Sequence, residues 1–152
     1  MNVTPLAYHI TWTTYGSWLP GDRRGWVRRG ASAVQVPDSE TEDQARAAMV
    51  EASVVLTESQ REVVAQTVRD HCLIRRWTLH AVNARSNHVH VVATAGVSPE
   101  RVLDQLKAWC SRRLNAATCD PPAKWWTYHG STKYIWDEPY LREAIDYVLE
   151  RQ

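Results

Sequence analysis

The segment from Asn87 to Ala95 constrains the fold more than any other part of the sequence, because its two histidines alternate with apolar residues. In a β-strand, residues i and i+2 point to the same face of the sheet. His88 and His90 therefore share one face. The opposite face carries Val89, Val91 and Ala93. A strand of this kind belongs in a sheet that packs helices on its apolar face and keeps chemically active side chains on the other.

The remaining segments show where the other strands and helices lie. Strands are predicted at about 7–15, 75–84, 87–95 and 134–136. Thr57 with Gln60 resembles a capping box, and Ser98 precedes Pro99 as an N-cap, so a helix begins at each point. A last helix is predicted over 138–151. Strands interleaved with helices in this way predict an α+β fold, an antiparallel sheet with helices packed on one face.

Length and composition exclude several classes of protein. A chain of 152 residues with 44% hydrophobic and 23% charged residues fits one globular domain spanning 1–152, with an irregular insertion at about 16–49. There is no apolar run of the roughly 18 residues that a membrane span requires, and no secretion signal at the N-terminus. The 3 cysteines form no C-x-x-C pair, which argues against a disulfide framework or a cysteine zinc site. We therefore expect a cytoplasmic protein that does not associate with membranes.

Any binding to nucleic acid must use a local patch, because the formal net charge is only +1. The best candidate patch surrounds Trp26. Its basic residues are Arg23, Arg24, Arg28 and Arg29. Lys107, near the polar side of the helix that begins at Pro99, is a further candidate for contact with a DNA backbone. A solvated loop explains the arginines about equally well.

The two histidines on one strand face lie roughly 7 Å apart by strand geometry, so they can share one divalent ion. A closed structural zinc site needs more ligands, and an open catalytic site is the better metal hypothesis. The alternative is a pair of polar residues on a solvent-facing strand. Two other histidine motifs lack a residue: Val92 stands where a histidine triad needs its third histidine, and only 9–11 matches the repeated His-x-Thr motif of phosphoesterases.

The last predicted helix carries one tyrosine away from its apolar stripe. The stripe is Leu141, Ala144, Ile145, Val148 and Leu149. At about 100° per residue, Tyr147 lies more than roughly 100° from the centre of that stripe. A phenol held on a polar face can act as a nucleophile if a metal activates its target. The alternative is a tyrosine that flanks the core with its hydroxyl in water.

A histidine pair on a strand, followed by a helix and then a late helix with one tyrosine, resembles the HUH-superfamily single-tyrosine transposases. This family includes the IS200-like and REP-associated tyrosine transposases. The resemblance covers nearly the whole chain, from 8–12 through 83–92 to 147–152. It implies a ferredoxin-like domain that forms a homodimer, and it implies Mg²⁺ or Mn²⁺ bound by His88 and His90. It further implies that Tyr147 cleaves and rejoins single-stranded or hairpin DNA through a 5′-phosphotyrosine intermediate, often in the partner's site.

One position departs from the family pattern. Relatives usually place Asn or Gln four residues after the tyrosine as a third metal ligand, whereas this chain has Arg151, which cannot ligate a metal. Glu150 is the predicted replacement, and Gln152 is the other candidate. The departure keeps open a catalytically impaired or domesticated DNA-binding relative. An unrelated metal-binding protein, or an HUH enzyme of plasmid replication or transfer, is the remaining alternative.

Overall fold

A computed structural model describes residues 3–17, 26–27, 34–35, 39–47 and 53–151. Its strands are β1 (Ala7–Thr13), β2 (Trp26–Val27), β3 (Val34–Gln35), β4 (Thr78–Ala84), β5 (His88–Thr94) and β6 (Ser131–Ile135). Its helices are α1 (Ser39–Ala47), α2 (Glu58–Arg75), α3 (Pro99–Ala117) and α4 (Glu138–Asp146), and α4 continues into a π-helical turn (Tyr147–Arg151). None of these helices is long and apolar enough to cross a membrane.

The main sheet has four antiparallel strands in the order β4-β5-β1-β6. With α2 between β1 and β4, and α3 between β5 and β6, this is the β-α-β-β-α-β ferredoxin-like arrangement. The predicted α+β class with an antiparallel sheet is confirmed. β5 lies between β4 and β1, and its His90 pairs with Thr11 on one side and Asn83 on the other.

The larger core lies between the sheet and the two long helices. Thr57 caps α2 with the predicted capping box, and Ser98 caps α3 by accepting the backbone N–H of Arg101. The apolar face of β5 meets these helices, as its alternation predicts. The largest fully buried side chains of this core are Ile10, Trp12, Val64, Val68, Val89, Val91, Val102, Leu106 and Leu114.

The opposite face of the sheet is covered at one end by α4 and the π-helical turn, so the prediction of helices on one face holds only for α2 and α3. A second, smaller core forms there from Ala7, Ala81, Val92, Ile135, Leu141, Ala144 and Val148. This second layer covers Val92, which lies on the same face of β5 as the histidines and is fully buried. The run 91–93 is buried on both faces, which requires cover on both. Leu149, at the margin of the predicted stripe, is exposed.

Two features differ from the sequence prediction. The strand expected from Arg75 begins at Thr78, because α2 extends to Arg75 and ends at Arg76 in the left-handed conformation (φ 61°). The insertion expected to be irregular contains the β2–β3 pair and α1. α1 has few apolar residues, so its helical propensity produces no periodic signal. The extent of the domain stays a prediction.

Candidate active site

β5 places both histidines of the predicted pair on one face, and their rings are in contact. The ring centroids of His88 and His90 lie 4.9 Å apart, with the planes at 88°. His88 stands near the hairpin end of the strand and is half-buried. His90, two residues further on, is only 7% exposed. His90 is therefore a buried polar side chain, which a solvent-facing strand does not explain.

Hydrogen bonds hold the Nδ1 atom of each ring. His88 Nδ1 donates to Asn87 Oδ1 at 2.7 Å. His90 Nδ1 lies 3.0 Å from Thr11 Oγ1 and 3.2 Å from His9 Nε2. A proton on Nδ1 makes Nε2 the lone-pair nitrogen of a neutral imidazole. Metal-binding histidines usually donate from the nitrogen that does not bind the metal, so in the tautomer protonated on Nδ1 each ring would bind a metal through Nε2.

His9 is the residue of this cluster that sequence reasoning missed. Its ring centroid lies 5.4 Å from that of His90. The alternation of β1 already places His9 and Thr11 on the face opposite the core, and the register confirms this by pairing Thr11 with His90. Only the β1–β5 pairing, which the sequence does not specify, brings His9 beside the histidine pair.

Tyr147 lies at the same cluster within its own chain. Its ring centroid is 5.7 Å from that of His90 and 6.1 Å from that of His9. The side chain is 41% exposed, whereas the next residue, Val148, is fully buried in the second core. Asn83 Nδ2 donates to Val148 O at 2.9 Å, which ties the π-helical turn to β4. The turn thus buries one side chain and presents the phenol beside the histidines.

The cluster is built to keep its imidazoles neutral. The pKa of His90 is lowered to about 3, mainly by burial and then by the charges of His88, His9, Arg85 and Lys133. Burial and Lys133 also lower the pKa of His9. A neutral imidazole offers the lone pair that a divalent cation needs, whereas an imidazolium ion repels the cation.

The donor set fits a divalent cation held at an open site. The imidazoles of His88 and His90 are suitable ligand types, and further positions remain for oxygen atoms. Among the residues that the structure describes, no group of three or more His, Cys, Asp or Glu side chains could hold a metal ion. Glu150 is exposed and does not join His88 and His90 in such a group. Its role as third ligand stays a prediction, and Gln152 lies outside the described residues.

Of the residues predicted to contact DNA, only Lys107 lies within the described part of the chain. Arg23, Arg24, Arg28 and Arg29 lie outside the described residues. Lys107 Nζ donates to the backbone oxygens of Thr127 and His129, at 2.9 Å each, and fixes the segment that precedes β6. Lys107 therefore has a structural role, and its contact with DNA stays a prediction.

With this geometry established, comparison with known proteins assigns the family. The family model described as "Transposase IS200 like" matches residues 49–148, and the chain belongs to this family of transposases. The resemblance to single-tyrosine transposases is confirmed. The matched range contains His88, His90 and Tyr147, whereas His9 precedes it.

Two solved structures share the fold. The first is a protein from Deinococcus radiodurans R1, provisionally described as a transposase, with 16% identity and a TM-score of 0.55; the match covers 99% of this chain and 93% of that one. The second is a REP-associated tyrosine transposase bound to a REP hairpin, with 11% identity and a TM-score of 0.56; the match covers 97% of this chain and 68% of that one. Sequence comparison with curated proteins gives no significant match.

Proposed function

We propose that this transposase is metal-dependent and cleaves and rejoins single-stranded DNA through a covalent 5′-phosphotyrosine at Tyr147. The observation that carries the proposal is the contact of the Tyr147 ring with His90 and His9. A nucleophile at the edge of a two-imidazole metal site is the arrangement that phosphodiester transfer requires, because the reaction needs an aligned attacking oxygen and neutralised phosphate charge.

In the proposed reaction, Tyr147 Oη attacks the scissile phosphorus and loses its phenolic proton. A bond from Oη to phosphorus forms, the bond from phosphorus to the 3′ oxygen breaks, and that oxygen leaves as a 3′-hydroxyl after taking up a proton. Attack by a 3′-hydroxyl on the phosphotyrosine reverses these steps and joins the strands. No ATP is required, because the phosphotyrosine retains the energy of the phosphodiester bond that was broken. His88 and His90 would hold Mg²⁺ or Mn²⁺, which supplies charge neutralisation at the phosphate oxygens when bound.

Covalent capture tests the chemistry. Single-stranded DNA carrying the flanks of the protein's own gene is incubated with the protein and Mn²⁺ or Mg²⁺. We expect an adduct that survives SDS, with mass spectrometry locating the nucleotide on Tyr147. Tyr147→Phe and His88→Ala should abolish the adduct. Tyr140→Phe is the matched control, because Tyr140 is equally exposed at 41% and belongs to the same C-terminal helical segment.

Each other outcome of this experiment has a defined meaning. An adduct that persists in Tyr147→Phe would refute the assignment of the nucleophile. A mobility shift without any adduct would favour the catalytically impaired DNA-binding relative, which the Arg151 departure suggests. Neither an adduct nor a shift would count against both the proposed chemistry and the proposed DNA partner of this transposase.

We further propose that Tyr147 serves the site of its own chain, because its ring already lies against His90 of that chain. The family resemblance, in contrast, often implies a tyrosine supplied by the partner in a homodimer. Mixing Tyr147→Phe protein with His88→Ala protein separates the two arrangements. Supply within one chain predicts no adduct in the mixture, whereas restored adduct formation would show that the tyrosine acts in the partner.

Single-stranded or hairpin DNA is the proposed partner. A structural neighbour that shares the fold is bound to a REP hairpin, which supports this proposal. The arginines around Trp26 would contribute phosphate contacts. Each neutralised phosphate makes the salt dependence of binding to a single strand steeper, by about 0.7 in the slope of log K against log salt concentration. Replacing the four arginines by glutamine should therefore weaken the dependence of the Kd on salt, and an unchanged slope would argue against this patch.

A further inference from the structure

We propose that His9 is a positioning residue that fixes His90 and Tyr147 relative to each other. This inference rests on the proposed function, because it assigns His9 a role beside the metal ligand and the nucleophile. His9 lies outside the segment that the transposase family model matches. Its assignment therefore depends on contacts within this structure.

The first contact is with the ligand ring. His9 Nε2 lies 3.2 Å from His90 Nδ1, and Thr11 Oγ1 lies 3.0 Å from the same nitrogen. Both side chains come from the same face of β1, one on each side of Ile10. When His90 carries its proton on Nδ1, either neighbour can accept it, and His90 Nε2 becomes the nitrogen that would bind a cation. His9 therefore favours the metal-binding tautomer and fixes the plane of the ring.

The second contact is with the nucleophile. The His9 ring lies 6.1 Å from the Tyr147 ring in an edge-on arrangement, and 5.4 Å from the His90 ring. Edge-on ring pairs at such distances contribute about 0.5–1.5 kcal/mol beyond the area that they bury. One side chain thus touches both groups whose separation decides whether the phenol is aligned for attack.

His9 is placed as a positioning residue and not as a third ligand. Its Nε2 faces the Nδ1 side of His90, which is the side away from the metal-binding nitrogen. Over the described ranges, His9, His88 and His90 do not form a group that could hold a metal ion among themselves. The geometry is that of a histidine that orients a ligand through a hydrogen bond.

The test compares His9→Leu, which keeps bulk without a hydrogen bond, with His9→Gln, which retains an acceptor. His80→Leu is the matched control. His80 is also a histidine of the main sheet, and its Nε2 lies 2.8 Å from Thr94 Oγ1, away from the cluster. Mn²⁺ affinity is measured by electron paramagnetic resonance without DNA, and the tautomer of His90 by ¹⁵N NMR of the metal-free protein.

Loss of an outer hydrogen-bond partner typically weakens metal affinity about 10- to 100-fold, and we expect this for His9→Leu. His9→Gln should recover most of the affinity, and His80→Leu should not change it. The ¹⁵N signals of His90 should shift from the Nδ1–H pattern towards a mixture in His9→Leu only. At saturating Mn²⁺, adduct formation should stay slower in His9→Leu, because the contact with Tyr147 is lost as well.

Three results would overturn the inference. Unchanged Mn²⁺ affinity and unchanged His90 signals in His9→Leu would show that His9 positions nothing. Complete loss of Mn²⁺ binding in both His9 variants, as in His88→Ala, would make His9 a ligand. Wild-type protein that binds no Mn²⁺ would overturn this inference directly. Wild-type protein that binds Mn²⁺ but forms no adduct would refute the proposed reaction, while the affinity and tautomer data would still decide the role of His9.

Discussion

Replacing Val148 with alanine should release Tyr147, the proposed nucleophile, from the site more than it destabilises the rest of the domain. Val148 is fully buried in the second core, next to Tyr147. The change removes two methyl groups, each worth about 0.8 kcal/mol of burial, and leaves a small cavity, so the loss is about 2 kcal/mol. If this loss falls on the docking of the π-helical turn, the ratio of docked to undocked turn falls by about 30-fold, at 1.4 kcal/mol per tenfold change.

Hydrogen exchange of the C-terminal peptide measures this directly, and covalent capture of DNA measures its consequence. We expect faster exchange at 147–151 and slower adduct formation. Val68→Ala is the matched control, because Val68 is equally buried, but in the core between the sheet and the long helices. It should lower the global free energy of unfolding by a similar amount and leave exchange at the turn unchanged. Equal exchange at the turn in both variants would refute the reasoning, because the turn would then open only with the whole domain.

Three further predictions concern the surroundings of the site. Gly130→Ala should cost about 1–3 kcal/mol of stability and slow adduct formation. The new Cβ would lie 2.6 Å from the Thr11 backbone oxygen, so β1 would have to shift. Unaltered thermal unfolding would contradict this prediction. In EDTA, the free energy of unfolding should fall as the pH drops below 6.5, by up to about 1.4 kcal/mol per pH unit for His90. The reason is that His90 binds a proton in the unfolded chain, whereas in the folded chain its pKa is lowered to about 3. Urea titrations of the wild type and His90→Asn measure this, and equal slopes would count against it. Lys107→Met should lower stability through the loss of its two bonds to carbonyls while leaving the salt slope of DNA binding unchanged; a slope reduced by about 0.7 would instead assign Lys107 to the DNA.

Local signals in the sequence were sufficient for most of the elements. The caps at Thr57 and Ser98 predict the starts of α2 and α3, because capping depends on neighbouring residues alone. The end of α2 was harder to place, since Arg76 adopts the left-handed conformation at a position where glycine is usual. The second helical layer was missed because only the face with Val89, Val91 and Ala93 was interpreted as apolar, although the continuous apolar run 91–93 indicates burial on both sides.

The residues of the candidate site likewise fall into those that local spacing predicts and one that only strand pairing brings to the site. The spacing of His88 and His90 specifies a shared strand face, and the structure places their rings together. The position of Tyr147 outside the apolar stripe likewise follows from helical spacing. His9 is 81 residues away from His90 in sequence, and only the pairing of β1 with β5 brings the two together. A single sequence contains no direct signal for such a pairing.

The arrangement of the histidine face explains why a tyrosine on the last turn of the described chain can be held in position. One end of that face is apolar and covered by α4, while the other end carries the histidines. Val148 belongs to the first region and Tyr147 to the second, so the boundary between them falls between consecutive residues. A π-helical turn at this point changes the direction of successive side chains, and such turns are frequent at functional sites. The bond from Asn83 to Val148 O connects the turn to the strand that pairs with β5. The apolar core of this face would therefore serve the proposed reaction as well as stability, because it determines where the phenol lies relative to His90.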